Sequence, residues 1–79
     1  MSKVDEIAAL AERTSGTVAP GEVPAIDDAA ERDAYAALAQ RLYAGLEGPP
    51  EKRARSVRGQ VATLLWQRVT EWDEQAEGD

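Results

Sequence analysis

The chain has 79 residues, with 15 Asp and Glu against 9 Lys and Arg and a formal net charge of -6. A single domain of this size buries only about 60% of the surface its unfolded chain exposes, so its core is marginal and pairing with itself or with another protein is expected. Cysteine and histidine are both absent, which removes disulfides, thiolate chemistry, the usual general base near neutral pH and the commonest metal ligand; no metal, cofactor or small-molecule substrate is expected.

The opening "MSKVDEIAALAER" sets acids inside its apolar pattern and has no continuous apolar run. It reads as neither a signal peptide nor a membrane span, and the expected location is the cytoplasm, of a bacterium by the Ala/Arg/Glu/Asp-rich usage. Ser2 stands as an N-cap with Asp5 three residues on, and Val4, Ile7, Ala8 and Ala11 share one face with Leu10 at its edge. This spacing predicts an amphipathic helix near residues 3–14, stopped by Gly16.

Residues 15–27 contain Pro20, Gly21 and Pro24 and predict a loop, since each proline removes a backbone donor and pushes the residue before it to extended geometry. Val18, Val23 and Ile26 are spaced along it as an extended strap across the helices, an ordered connector covering one end of the core.

A second helix is predicted near residues 28–46, with Asp28 as N-cap, Glu31 closing a capping box, and Gly45 to Gly48 ending it. Tyr35, Leu38, Ala39, Leu42, Tyr43 and Leu46 form a broad apolar face. Ala30, Ala34, Ala37 and Ala44 form a second stripe on roughly the opposite side, which suits a close second neighbour.

Pro49 and Pro50 break the chain, and a third helix is predicted near residues 51–74 from the apolar set Val57, Val61, Leu64, Leu65, Val69 and Trp72. Gly59 interrupts it at a cost of about 1 kcal/mol relative to alanine. Residues 75–79 read as an acidic frayed tail. The short turn between the second and third helices implies an antiparallel pair. The expected fold is therefore one all-α domain over residues 1–79: three helices built on an antiparallel helical hairpin, with a Pro/Gly-containing loop after the first.

Catalytic arrangements are lacking. The adjacent acids Asp27 and Asp28, and Asp73 and Glu74, lie at or near helix ends, where capping and solvation account for them. "SGTVAPG" lacks the lysine and helix entry of a phosphate-binding loop. Tyr35 and Tyr43 sit eight residues apart on the apolar face of the second helix, as core or half-buried residues with exposed hydroxyls.

Two surfaces stand out. On the third helix the apolar arc centres near Val61, Leu65 and Trp72, while Trp66 lies about 120° away, with Ala62 and Val69 bridging the gap. Such a wide arc exceeds what one neighbour needs. Trp66, Val69, Trp72 and Ala62 are accordingly read as partner-facing. The second surface is "EKRARSVRG", which gathers Lys52, Arg53, Arg55 and Arg58 in an acidic chain. These cations are expected to collar the start of the third helix, against its dipole, relieved by a Glu51–Arg55 pair and by Glu47.

A net charge of -6 and the lack of a recognition motif argue against direct DNA binding. The favoured expectation is a non-catalytic accessory, adaptor or regulatory subunit that docks on a larger protein through Trp66, Val69, Trp72 and Ala62, steered by Lys52, Arg53, Arg55 and Arg58. An obligate homodimer with a four-helix core is the alternative, followed by an acidic antitoxin-like or nucleic-acid-linked regulator.

Overall fold

Asp28 is extended, and its carboxylate accepts the Glu31 N–H at 2.8 Å. The Glu31 carboxylate reaches back to the Asp27 N–H at 2.9 Å, so the chain turns from extended to helical at the expected place. In the computed structural model, which describes residues 3–13, 16–46 and 48–77 apart from the side chains of Pro50 and Ala54, this is the start of the central helix of an all-α hairpin domain. The elements are α1 (Lys3–Leu10), a 3-10 turn (Pro20–Glu22), α2 (Ala29–Ala44), α3 (Pro50–Arg55) and α4 (Val57–Glu77). The Ser2 cap, the Glu47 contact and the last two residues of the expected tail lie outside the described residues.

α2 and α4 run antiparallel. At one end the Arg32 guanidinium grips Asp73 through two bonds, Nε to Oδ1 at 3.1 Å and Nη2 to Oδ2 at 2.9 Å; at the other, Gly45 closes α2 beside the Arg58 guanidinium. Between these ends Tyr35, Leu38, Ala39 and Leu42 of α2 meet Val61, Ala62, Leu65 and Val69 of α4 in one buried cluster, joined by Ile7 and Ala11 from the first segment. The alanine stripe does not hold a second neighbour. Ala30, Ala37 and Ala44 are exposed and Ala34 is half-buried, and the alanines that α2 buries are Ala36 and Ala39.

The connector after α1 is an ordered strap, with Val18, Val23 and Ile26 all buried. Burying them draws polar backbone against the helices, and helix side chains satisfy it. Gln60 accepts the Val18 N–H at 2.7 Å and donates to the carbonyls of Gly16 and Arg55. Arg68 donates to the Val23 and Pro20 carbonyls, both at 2.8 Å. The Tyr35 hydroxyl donates to Pro24 O at 2.9 Å and Lys3 donates to Ala25 O at 2.6 Å.

Three boundaries differ from expectation. α1 stops at Leu10, and Ala11 and Glu12 follow as turns bonded back to Ile7 and Ala9, tightening from four-residue to three-residue spacing. α4 continues to Glu77, so the acidic tail is helical up to that residue. The expected third helix is two helices, because Ser56 is extended at φ -67° and ψ 154°. Its hydroxyl donates to Arg53 O at 2.7 Å, closing α3, and accepts the Gly59 N–H at 3.0 Å, opening α4. The same fold-back brings the Arg53 carbonyl onto Gly59, where an added Cβ would stand 2.0 Å from that oxygen.

Helix propensity alone makes Gly59→Ala stabilising by about 1 kcal/mol. The seat of α3 reverses the sign: urea denaturation should show a loss of about 1–3 kcal/mol, the usual cost of forcing atoms into a packed contact. A stabilised variant would mean that α3 does not rest on α4 there.

The Arg32–Asp73 clamp carries a pH signature. The guanidinium holds the Asp73 carboxyl below its ordinary value of 3.8, so the clamp's contribution is complete above that value and is lost as pH falls through the depressed one. Asp73→Asn should therefore lower the melting temperature near neutral pH, and the gap from the native chain should close in strong acid. A gap independent of pH would show that the clamp is not the source.

Candidate functional site

One face of the hairpin is covered by α1 and the strap. On the other, Tyr43 of α2 is 42% exposed, the exposed large hydrophobic side chain among the described residues, and Trp66 of α4 is half-buried against the core. Together with Thr63, Gln67, Thr70 and Glu71 they line an open groove of about 380 Å³.

The expected partner-facing set divides once the core is closed. Ala62 and Val69 are 0% and 2% exposed, so they belong to this chain's own α2–α4 interface and are not surface residues. Trp72 is half-buried and packs on the cluster. Trp66 alone of the four reaches the open groove. The aromatic beside it is Tyr43, which helical spacing assigned to the apolar face. Its position past Leu42, one residue from the end of α2, leaves it exposed.

The basic residues also divide. Lys52 and Arg55 of α3 and Arg58 of α4 are exposed; Arg53 is half-buried, and its Nε is shielded from solvent without a hydrogen-bond partner among the described residues. The helix break alters their electrostatics. Lys52, Arg53 and Arg55 occupy the last turn of α3, where the negative end of a helix dipole favours cations, instead of the N-terminal turns of a long helix, where it opposes them. The Glu51–Arg55 pair is not formed. Among the described residues no acid pairs with Lys52, Arg53, Arg55 or Arg41, whereas Lys3, Arg13, Arg32 and Arg68 each hold a carboxylate at 3.2 Å or closer. Arg58 meets Glu12 only at 3.4 Å.

A second cleft of about 460 Å³ lies between the end of α1 and the α3–α4 junction, lined by Arg13, Arg55 and Arg58 with Glu12. Arg13 is engaged by Glu22 and Arg58 by Glu12, so its own acids meet most of its positive charge.

Antiparallel packing turns these local facts into a long-range one. The end formed by the close of α2 and by α3 carries Arg41, Lys52, Arg53 and Arg55 without acidic partners among the described residues. The opposite end carries Asp28, Asp33, Glu74 and Glu77. α4 has no base in its last turn, so Glu74 and Glu77 sit at the negative end of its dipole, an unfavourable arrangement that no ion pair among the described residues relieves.

Among the described residues no group of three or more acids is placed to hold a metal ion, and no helix is long and apolar enough to cross a membrane. No family model, no curated protein and no solved structure matches the chain.

Proposed function

We propose that this chain is a protein-binding module, a non-catalytic accessory or regulatory subunit that docks through the uncovered face of the α2–α4 hairpin. The observation that carries the reading is the exposed Tyr43 beside Trp66 in a shallow groove, with cations that have no acidic partner among the described residues at one end of the same hairpin. Aromatic anchors of this kind supply most of the affinity at protein interfaces, while flanking charge sets orientation and the rate of encounter. The cytoplasm is the compartment proposed with it.

Affinity capture from the native host tests this, using the native chain and two surface variants as bait. Tyr43→Ala should lose the captured protein through faster dissociation, by about 2 kcal/mol if the tyrosine is a hot spot. Lys52→Gln with Arg55→Gln should instead slow association and flatten its salt dependence. Equal retention by all three baits would overturn the reading, and because these side chains are exposed, circular dichroism should show every bait folded.

A further inference from the structure

We infer that the docking face takes a second copy of this chain, antiparallel about a two-fold axis near Trp66, closing a four-helix bundle of two hairpins. The inference rests on the reading of the Tyr43–Trp66 face as a docking surface and names its occupant.

The argument begins with a stripe along α4. At about 100° per residue, Thr63, Trp66, Thr70, Glu74 and Glu77 fall within an arc about 80° wide. Gly59, on which the Arg53 carbonyl of α3 rests, lies in the same arc. Read along the helix, the stripe runs from the cationic α3 through threonine and tryptophan to two glutamates without ion-pair partners among the described residues. Its centre is apolar and its ends carry opposite charge.

Such a stripe complements itself when one copy is turned end for end. Trp66 lies within one residue of the midpoint of α4, Val57–Glu77. A two-fold there sets Glu74 level with residue 58 of the other copy, about 12 Å either side of the axis, and Glu77 just past the first residue of the other α4, at its junction with α3. The α3 cations Lys52 and Arg55 then face the last turn of the second α4, at both ends at once. At the axis the two Trp66 rings and the two Tyr43 rings close the groove, and the threonines on either side are small enough for helices to pack at 8–10 Å.

Charge decides between this occupant and a foreign acidic surface. A foreign anion would satisfy the α3 end and leave Glu74 and Glu77 unrelieved at the negative end of α4. A second copy satisfies both, and the two-fold closes the assembly at two chains. Two copies at -6 each repel at long range, but at physiological salt that repulsion is screened beyond about 8 Å, whereas the matched ends are in contact.

The test is sedimentation equilibrium with charge-reversed chains. The native chain should show a monomer–dimer equilibrium that ends at twice 8.5 kDa and weakens in molar salt. Lys52→Glu with Arg55→Glu should be monomeric, and so should Glu74→Lys with Glu77→Lys; the two variants mixed should form a dimer, because each then offers the ends that the other needs. Circular dichroism of each variant should match the native chain. A native chain that stays monomeric to millimolar concentration, a mixture that stays monomeric, or masses that grow past two chains would each overturn the inference. A monomeric chain whose captured protein is still lost from the Tyr43→Ala bait would overturn the two-fold pairing alone and leave the docking face standing.

Discussion

The structure depends on how the strap's backbone is satisfied. Val18, Val23 and Ile26 contribute apolar area that a 79-residue chain can ill spare, yet burying them brings part of the strap's polar backbone away from water, where an unpaired group costs free energy. Side chains from three helices meet that demand: Lys3 from α1, Tyr35 from α2, and Gln60 and Arg68 from α4. Gln60 spends both ends of its amide here, and through the Arg55 carbonyl it also holds α3. The covered face of the hairpin is thus a polar lattice laid over an apolar core. α1 and the strap are both spent on this face. The other face is left to Tyr43 and Trp66.

Much of this was legible in the residues. Asp28 and Glu31 announce the start of α2, and the strap's valines and isoleucine stand out among prolines and glycines. The break at Ser56 was obscured because Val57 onward keeps perfect helical spacing and the residues before it are good helix formers. Two signals were available: a serine, a preferred N-cap, and an interior glycine three residues later with no evident reason to be there. The structure supplies the reason, since only a residue without Cβ admits the Arg53 carbonyl.

The surface was less legible than the core. Helical spacing gives the angle of Ala62, Val69 and Trp66 around α4 but not how far α2 wraps around it, and α2 covers the first two while leaving the third half-open. Tyr43 shows the converse, an apolar-face residue left in solvent because it falls near the helix end. Lys52, Arg53 and Arg55 were legible as a cluster; their electrostatic setting was not, because it turned on whether the helix ended at Arg55.

The Ser56–Gly59 junction has a consequence for how such a chain can diverge. The seat of α3 is made of a hydroxyl, a backbone amide and a backbone carbonyl, and none of these depends on the side chains at positions 52 and 55. Their charge is free to drift in sequence while the short helix that presents them stays in register. Sequences descended from a common ancestor would keep the serine and the glycine as a fixed socket and exchange the ions mounted in it, altering which surfaces they recognise without refolding the body beneath.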